Sequence, residues 1–360
     1  MNQKKYKSNK AGLNSCFLNK KNPFDLFKAW MAKAKKTEIN DPNALALATV
    51  NRKKQPSVRM VLLKGLTNKE FIFYTNLNSK KSNELKSNPK ASMCFHWKSI
   101  RRQIRIEGSI AKIPGKVADK YYNSRPYGSR IGAWASIQSR PMESRSDLMN
   151  RIQKYKSNKA GLNSCFLNKK NPFDLFKTWM AKAKKTEIND PNALALATVN
   201  RNKQPSVRMV LLKGLTNKEF IFYTNLNSKK SNELKSNPKA SMCFHWKSIR
   251  RQIRIEGSIA KVPGKVADKY FNSRPYGSRI GAWASIQSRP METRSDLMDR
   301  IQQYKKKFPS HKKVPRPPYW SGFALKANEV EFWLDGHNRI HERLRYKKLG
   351  SRWVKEILYP

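Results

Sequence analysis

The sequence is a tandem repeat followed by a segment that occurs once. Residues 6–154 align with residues 155–303 without a gap, and the two copies differ at seven positions. A period of this length far exceeds the roughly 20 to 50 residues of a solenoid unit, so the repeat is a duplicated domain. Residues 304–360, called the tail below, have no counterpart in the first copy. We therefore interpret 1–154 as a partial copy and 155–360 as a complete unit.

The composition argues for folded domains and leaves the charge open to two interpretations. A chain of 360 residues holds about two domains, and 38% hydrophobic with 11% aromatic residues argue against disorder throughout. The net charge of +52 first suggests partners that carry phosphate, such as nucleic acid, an anionic membrane or a phosphorylated small molecule. The lysines nevertheless lie in short runs along the whole chain, which favours a biased background composition. We therefore expect no specific nucleic-acid partner.

The cysteines and the apolar runs indicate a soluble, cytoplasmic protein. No CxxC or Cys/His cluster occurs, so we expect free thiols in a reducing compartment and no metal site. The cysteines are Cys16, Cys94, Cys165 and Cys243. The basic N-terminus has no apolar run of signal-peptide length, and no run is long enough to span a bilayer, so we expect no membrane partner.

Hydrophobic periodicity predicts a mainly β fold with flanking helices. In residues 171–187 the apolar side chains recur at helical spacing, as Phe173, Phe176 and Trp179 do. Shorter helices are predicted over 228–237 and 264–275. The predicted strands are 193–199, 206–214, 219–225, 240–246 and 252–262, followed in the tail by 321–327, 329–334, 341–348 and 352–358. Short successive strands with few helices are typical of an antiparallel β-barrel.

Two segments place cations where they suit a phosphate group. In "RMVLLK", Arg208 and Lys213 lie five residues apart on a strand and so face opposite sides of the sheet. In "SKKSNEL", Lys229 and Lys230 open a short helix that Ser228 caps, and the free amides at a helix start attract anions. The plainer explanations are charged strand ends that reach solvent and a surface lysine pair.

A third segment combines hydroxyl groups with a guanidinium group. In "KYFNSRPYGS", Tyr270 and Arg274 share one helical face, and Ser278 follows shortly after. Arginine offers a planar fork of donors, so this set suits a phosphate. The plainer explanation is a helix end followed by a glycine-containing turn.

The tail contains "RIHER", which concentrates positive charge. If this stretch is extended, Arg339, His341 and Arg343 point to one face and span about 14 Å at 3.4 Å per residue. Like charges so placed repel each other unless an anion compensates them, so a bound anion is expected here. No Ser/His/Asp arrangement or P-loop accompanies the stretch, and hydrolysis and ATP chemistry are therefore unsupported.

In this order and spacing, "RMVLLK", "FYTNLNS", "RQIRIEG", "NSRPYGSRIGAWAS" and "RIHER" closely resemble the pyridoxamine 5'-phosphate oxidase family. The resemblance covers 155–360 and, without the tail, 1–154. It implies an FMN-binding split-barrel fold, present as one complete and one partial copy. It also implies a homodimer in which FMN lies in clefts between the subunits.

The resemblance further implies the residues of the site. The implied FMN contacts are Arg208, Met209, Val210, Leu211, Leu212, Lys213, Tyr223, Thr224, Lys229, Lys230, Gln252, Gln287, Ser288, Trp333 and Arg343. The implied substrate contacts are Lys213, Tyr270, Arg274 and Ser278 around the phosphate, with Arg339 and His341 over the ring as the catalytic pair. The first copy has the equivalents Arg59, Lys64, Tyr74, Thr75, Lys80, Lys81, Gln103, Tyr121, Arg125, Ser129, Gln138 and Ser139. Lys229 departs from the family pattern, where arginine is usual, and a point charge in place of a fork implies weaker FMN binding.

The chemistry implied by the resemblance is oxidation of pyridoxamine or pyridoxine 5'-phosphate to pyridoxal 5'-phosphate, in vitamin B6 biosynthesis. A hydride passes from the C4' carbon to N5 of FMN, O2 reoxidises the flavin to give hydrogen peroxide, and the amine substrate releases ammonia. The protein binds, orients and supplies positive charge. Two alternatives are a related flavin oxidase of another pathway, such as phenazine-type biosynthesis, and a basic nucleic-acid-binding protein.

The missing tail of the first copy limits the number of complete clefts. We expect the two copies to pair within one chain as a pseudo-dimer, so that one chain holds at most one complete cleft. In the rival arrangement, complete second copies pair between two chains as a homodimer. The first copy is in either case a barrel without its last strands, which predicts unpaired sheet edges.

Overall fold

The computed structural model describes residues 22–142, 145–153, 169–336 and 340–360, and these residues form a mainly β fold, as predicted. The helices are α1 (Pro23–Thr37), α2 (Lys80–Ser87), α3 (Gly115–Asn123), α4 (Tyr127–Ala135), α5 (Arg145–Gln153), α6 (Pro172–Thr186), α7 (Lys229–Ser236), α8 (Gly264–Asn272), α9 (Tyr276–Ala284) and α10 (Arg294–Lys307). The strands of the first copy are β1 (Ala44–Val50), β2 (Pro56–Leu62), β3 (Gly65–Leu66), β4 (Phe71–Ile72), β5 (Lys90–Trp97), β6 (Arg102–Ser109) and β7 (Pro141–Met142). Those of the complete unit are β8 (Ala193–Val199), β9 (Pro205–Leu211), β10 (Gly214–Leu215), β11 (Glu219–Asn225), β12 (Lys239–Trp246), β13 (Arg251–Lys261), β14 (Trp320–Leu334), β15 (Glu342–Leu349) and β16 (Arg352–Leu358).

The complete unit is organised around the long strand β14. This strand pairs with β13 along most of its length, with β11 in its first half and with β15 in its second half, always antiparallel. The prediction of two strands, 321–327 and 329–334, was wrong. The break in the pattern is a β-bulge: Asn328 has no partner where β13 passes from Glu256 to Gly257, so one strand continues through it.

The helix predicted over 171–187 forms as α6 and closes the core of the complete unit. It begins after Asn171, whose side chain accepts a hydrogen bond from the Phe173 amide at 3.0 Å, with Pro172 in the first turn. Its buried face includes Phe176 and Trp179, which pack in one cluster with aromatic residues of the barrel. Burying each such side chain contributes about 1.5–3 kcal/mol, which fixes the helix to the barrel.

The first copy has nearly the same sequence but an open sheet. Its described strands form a four-stranded sheet, β2-β1-β5-β6, and a separate β3-β4 pair. The segment "EFIFYTN" is a seven-residue strand in β11 and only a two-residue strand in β4, because the first copy has no counterpart of β14 to pair with. Ile253 and Ile255 of β13 are fully buried, whereas Ile104 and Ile106 of β6 are only partly buried. The expected sheet edge thus lies at β6 among the described residues.

The two copies pack face to face within the chain through β1, β2 and β5 of one copy and β8, β9 and β12 of the other. Small apolar side chains fill the contact, among them Ala48 and Val58 against Ala197 and Val207, with the buried free thiols of Cys94 and Cys243 beside them. Cys16 and Cys165 lie outside the described residues.

Polar contacts between the copies are reciprocal, as in a dimer with twofold symmetry. Lys98 Nζ lies 2.5 Å from Glu187 Oε2, and the equivalent Lys247 Nζ lies 2.6 Å from Glu38 Oε2. Burial alone would raise the pKa of Glu187, but the hydrogen bond from Lys98 and those from Ser248 lower it below its ordinary value. Both ion pairs are buried between the copies and hold the charged groups in one geometry.

The tail of the complete unit reaches across to the first copy. Strand β16 pairs with β7, with Ile357 opposite Met142, and the Tyr359 amide donates to the Arg140 carbonyl at 3.1 Å. Tyr359 is buried in a cluster that includes Ala135 of α4. The last strands of the chain therefore cover the first copy, although they belong in sequence to the second.

Helices α9 and α10 were missed by the sequence reasoning. The stretch after Pro275 is a helix because proline fits a helix start, and the glycine-containing turn proposed there does not form. Helix α10 starts with a capping box in which Thr293 and Asp296 exchange backbone and side-chain hydrogen bonds. Within the described ranges, no helix is both long and apolar enough to cross a membrane.

Candidate active site

The first copy holds a lysine in a cradle of neutral oxygen atoms. Lys81 Nζ donates to Thr75 Oγ1 at 2.8 Å and to Gln138 Oε1 at 2.8 Å. Burial, followed by the nearby guanidinium groups of Arg59 and Arg343, puts the pKa of Lys81 well below its ordinary value. We call the surroundings of Lys81 the first cleft.

The second copy holds Lys230 in the same way. Its Nζ donates to Thr224 Oγ1 at 2.9 Å and to Gln287 Oε1 at 3.3 Å. Burial, followed by repulsion from Arg208 and Arg105, lowers the pKa of Lys230 to about 7. We call the surroundings of Lys230 the second cleft. Neither Lys81 nor Lys230 pairs with a carboxylate among the described residues, so each cradle is suited to an external anion.

Both lysines lie in the first turn of a short helix that follows a serine, as predicted for Ser228. In α2, Ser79 accepts a hydrogen bond from the Ser82 amide at 3.4 Å. Ser228 instead donates its hydroxyl to the Asn225 carbonyl at 2.7 Å and makes no side-chain cap for α7. Backbone amides at a helix start add to the attraction of each cradle for an anion.

The lysine that precedes each cradle is paired with the other copy. Lys229 Nζ lies 2.7 Å from Glu107 Oε2 on β6, and Lys80 Nζ lies 2.6 Å from Glu256 Oε1 on β13. Lys229, an implied FMN contact, therefore already has a carboxylate partner. These pairs join each cradle to the strand that crosses from the other copy.

The arginine of "RMVLLK" is buried and paired within its own copy. Arg208 Nη2 lies 3.2 Å from Glu233 Oε2, and the same guanidinium donates to Thr198 Oγ1 and Ser206 Oγ at 2.5 Å. Burial lowers the pKa of Arg208 to about 10, and Glu233 opposes that shift. Lys213 at the far end is exposed, so the solvent-reaching explanation holds for Lys213 and not for Arg208. Between Arg208 and Lys213, the side chains of Met209, Val210 and Leu211 are partly buried, and that of Leu212 is buried. The first copy shows the same arrangement, because Arg59 pairs with Glu84 and Lys64 is exposed.

Each crossing strand presents a glutamine to the other copy. Gln252 Oε1 accepts a hydrogen bond from the Met60 amide at 2.9 Å, and Gln103 Oε1 accepts one from the Met209 amide at 2.7 Å. Gln252 belongs to the complete unit, yet its side chain lies on the "RMVLLK" strand of the first copy. The implied FMN contacts therefore divide between the copies.

Three implied FMN contacts form one row across the tail. Gln252 on β13 lies opposite Trp333 on β14, and Trp333 lies opposite Arg343 on β15. These residues are far apart in sequence, and strand pairing makes them neighbours. Gln252 bonds to the first copy, and the charge of Arg343 lowers the pKa of Lys81, so the row lies on the side of the first cleft. Among the described residues the second cleft has no such row.

A buried carboxylate fixes this row. Glu331 lies 2.8 Å from Arg254 Nη1 and 2.8 Å from Arg343 Nη2, and Arg254 Nε donates to the Val58 carbonyl of the first copy at 3.1 Å. Burial alone would raise the pKa of Glu331, but the two arginines lower it to about 2. Glu331 thus supplies part of the compensating charge expected for Arg343, but it shares that charge with Arg254.

His341 is held by residues that directly follow β14. Its ring centroid lies 4.5 Å from that of Trp333, and its Nδ1 lies 3.2 Å from Asp335 Oδ1 and 3.3 Å from the Gly336 amide nitrogen. The hydrogen bonds with His341 and Arg250 lower the pKa of Asp335 below its ordinary value, and the Gly336 amide donates to Nδ1 of His341. The extended form predicted for "RIHER" begins only at Glu342, and Arg339 lies outside the described residues.

The implied substrate-phosphate residues are supported differently in the two copies. In the second copy Tyr270 stacks on Tyr223 at 3.9 Å, and the Arg274 guanidinium lies 4.9 Å from the centre of the Trp320 ring. Ser278 is exposed. In the first copy Tyr121 stacks on Tyr74 at 3.8 Å, and Arg125 donates to the carbonyl of the buried Ser129 at 2.6 Å. Trp320 belongs to the tail and has no equivalent there.

Exposure separates the two clefts further. Gln138 and Ser139 are partly buried, whereas the equivalent Gln287 and Ser288 are exposed. Ser139 and Ser288 both have left-handed backbones, with φ of 72° and 70°. The turn is the same in both copies, so the difference in exposure comes from the tail.

The sequence reasoning missed the carboxylates that organise both clefts and the arginines that cross between copies. These residues are Glu84, Glu233, Glu331, Arg105 and Arg254. Strand alternation did carry one signal, since Arg254 lies two residues after Gln252 and so shares its face.

Comparisons with known proteins agree with the geometry. A family model described as pyridoxamine 5'-phosphate oxidase matches residues 31–156 and 180–334, and one described as the pyridoxine 5'-phosphate oxidase C-terminal dimerisation region matches 320–360. A pyridoxine/pyridoxamine 5'-phosphate oxidase of Pelagibacter ubique is 60% identical over 204 residues, which is 56% of this chain and 98% of that protein. The protein of the same name from Bartonella quintana is 49% identical over 57% of this chain and 100% of its own length. The crystal structure of PhzG from Burkholderia lata in complex with tetrahydrophenazine-1-carboxylic acid matches at 29% identity and a TM-score of 0.52, over 57% of this chain and 100% of that one.

Proposed function

This chain belongs to the pyridoxamine 5'-phosphate oxidase family, and from that premise we propose that it uses FMN to oxidise pyridoxamine or pyridoxine 5'-phosphate to pyridoxal 5'-phosphate. In this proposal O2 is the electron acceptor, hydrogen peroxide is a product, and turnover takes place in the first cleft. The observation that supports this location is that the row Gln252, Trp333 and Arg343 reaches the first copy, where Gln252 accepts a hydrogen bond from the Met60 amide and the charge of Arg343 lowers the pKa of Lys81. A cytoplasmic location stays a prediction from the sequence.

The donors of the first cleft fit a flavin that carries a phosphate. Lys81 supplies a positive charge without a carboxylate partner among the described residues, and Thr75 and Gln138 orient its amine. Gln252, Trp333 and Arg343 would hold the rest of the cofactor from the other side. When bound, FMN supplies the two-electron acceptor that the side chains of this protein lack.

The substrate would lie between the first copy and the tail. Tyr121, Arg125 and Ser129 would bind its phosphate, because a guanidinium beside two hydroxyls matches phosphate oxygens. His341 would lie over its ring, where the contacts of Nδ1 with Asp335 and Gly336 leave Nε2 to exchange a proton. Arg339 stays a prediction in the same role.

Activity and cleft assignment are tested together on the full chain. Purified protein given pyridoxine 5'-phosphate should release hydrogen peroxide and pyridoxal 5'-phosphate in equal amounts. Arg125→Ala should raise KM about 10-fold or more, because a hydrogen bond to a charged group contributes about 1.5–3 kcal/mol. Arg274→Ala removes the matched arginine of the second copy and should change KM less than about twofold.

Two outcomes would count against the proposal. Absence of peroxide from flavin-loaded protein would reject the oxidase activity. A rise in KM for Arg274→Ala without one for Arg125→Ala would move turnover to the second cleft.

The phenazine-type alternative is supported by the likeness to PhzG. Faster oxidation of a reduced phenazine carboxylic acid than of pyridoxine 5'-phosphate would favour it. The phosphate-binding set of Tyr121, Arg125 and Ser129 favours the vitamin substrate.

A further inference from the structure

The second cleft has the same lysine cradle as the first cleft, but the tail covers only the first cleft. In the first copy, Ile137 packs in the cluster of Tyr359, and Met142 pairs with Ile357. The equivalent residues of the second copy, Ile286 and Met291, are 57% and 53% exposed. They lie on the surface that a second tail would cover, and no described residue covers them.

The lysine cradle that suits an anion is nevertheless present in the second cleft. Lys230 is 93% buried, since its relative exposure is 7%, and it contacts only neutral oxygens. The nearby Glu233 is engaged by Arg208 and is not available to neutralise it. A buried ammonium group without a counter-ion is costly, and a bound anion would offset that cost.

A cavity of about 950 Å³ is lined by sequence neighbours of Lys230, although Lys230 itself is not on its walls. Its walls include Asn227 and Lys229 at the start of α7, and Ser288 directly after Gln287. Arg201, Lys235 and Arg289 add positive charge to its walls, where Glu233 also lies, and Lys229 is paired with Glu107. The space is large enough for a ligand of the size of a mononucleotide, and its charge suits a phosphate.

We propose that the second cleft is a binding-only site, which takes the phosphate monoester FMN through Lys230 but does not oxidise the vitamin. The inference rests on the proposed function of the first cleft, because the catalytic groups it lacks are defined there. The phosphate donors are local to each copy and therefore duplicated. His341, Trp333 and Arg343 occur once and serve the first cleft.

The absent row sets the expected affinity. The second cleft lacks an equivalent of Arg343, and Gln287 and Ser288 are open to solvent. A lost contact to a charged group corresponds to about 10-fold to 100-fold in affinity, so FMN in the second cleft should bind weaker than in the first by about that factor.

The closing experiment counts two classes of flavin site. Full-length chain stripped of flavin is titrated with FMN, and binding is followed by quenching of flavin fluorescence and by calorimetry. We expect one tight and one weak site per chain. Riboflavin, which has no phosphate, should not fill the weak site.

Matched variants identify each site. Lys230→Met should remove the weak class, and Lys81→Met should remove the tight class while keeping the weak one. Lys81→Met loaded with FMN should then hold flavin without releasing peroxide. Thr224→Val and Thr75→Val form a second matched pair for the case in which a lysine variant does not fold.

The outcomes separate this inference from the proposed function. Peroxide release with a single FMN per chain would overturn the binding-only site and leave the oxidase intact. Two classes of FMN site without oxidation of pyridoxine 5'-phosphate would reject the oxidase and leave the second binding site. Two equal sites, or turnover by Lys81→Met at the rate of the unmodified chain, would also overturn the inference.

Discussion

Glu331 shows how one buried side chain connects the tail to the first cleft. It pairs with Arg254, which bonds to the backbone of the first copy, and with Arg343, which donates to the Tyr359 carbonyl at 2.9 Å. A row of implied cofactor contacts and the covering end of the chain thus share one carboxylate. Breaking a buried pair by removing one partner leaves an uncompensated charge, which is strongly destabilising.

Replacement of Glu331 is predicted to cost stability and to change its dependence on pH. Glu331→Gln should lower the free energy of unfolding by about 3–5 kcal/mol at pH 7, because Arg343 loses its carboxylate partner and Arg254 keeps only Glu256. The pKa of Glu331 is lowered to about 2 in the fold, so its contribution is full above the ordinary carboxyl pKa and is lost as pH falls towards 2. Urea unfolding between pH 3 and 7 measures both effects.

The exposed Glu70→Gln serves as the control and should change little. A Glu331→Gln chain with the stability of the unmodified protein at pH 7 would contradict the role given to this carboxylate. The sequence pointed to Arg343 through "RIHER" but not to Glu331. Its partners become neighbours only through the pairing of β13, β14 and β15, which no local pattern encodes.

At the scale of elements, the duplicated sequence shows how far local patterns determine structure. Alternation located β8, β11 and β16 at the predicted positions, and helical spacing located α6. The same residues "EFIFYTN" nevertheless form a full strand in one copy and a two-residue strand in the other. Strand length here depends on a partner more than 90 residues away in β14, so sequence patterning alone gives the strand but not its extent.

The two copies supply a matched test of that dependence at one glycine. A Cβ added to Gly257 would lie 2.1 Å from the Lys326 carbonyl oxygen of β14, whereas one added to the equivalent Gly108 meets nothing within 4 Å. Gly257→Ala should therefore destabilise the chain by about 2–3 kcal/mol through overpacking at the bulge. Gly108→Ala should stay within about 0.5 kcal/mol.

Urea unfolding followed by tryptophan fluorescence measures both changes. Equal effects of Gly257→Ala and Gly108→Ala would contradict the open edge at β6. A larger effect at Gly108 would show that another segment covers that edge.

At the scale of the whole molecule, duplication without a second tail gives an asymmetric pair. The contact between copies is reciprocal, but β14, β15 and β16 occur once and place their residues on one side. The matched region 320–360 is described in the family as a dimerisation region, and here it lies against the first copy of the same chain. The sequence predicts at most one complete cleft per chain because it contains a single tail, and this stays a prediction.

Whether the copies pair within a chain or between chains is decided by the buried ion pairs. Lys98 of the first copy pairs with Glu187 of the second, and both side chains are less than 10% exposed, at 9% and 2%. If second copies paired between chains instead, Lys247 would take the place of Lys98 opposite Glu187. Lys98→Glu should therefore destabilise the pseudo-dimer by about 3–5 kcal/mol and leave the rival homodimer unaffected.

The reverse substitution completes a double-mutant cycle. Glu187→Lys alone should be as damaging as Lys98→Glu, and the two together should recover at least about half of the loss, because the pair is restored with its charges exchanged. Thermal unfolding measures the cycle, and light scattering should give the mass of one chain, 41.8 kDa, for the unmodified protein. The homodimer would be established by three results together. Lys98→Glu would not change stability, Glu187→Lys would lower stability without recovery in the double variant, and the mass would be twice that of one chain. In that case the row from Gln252 to Arg343 would contact the second cleft of a partner chain. Oxidation of the substrate would then take place in the second cleft.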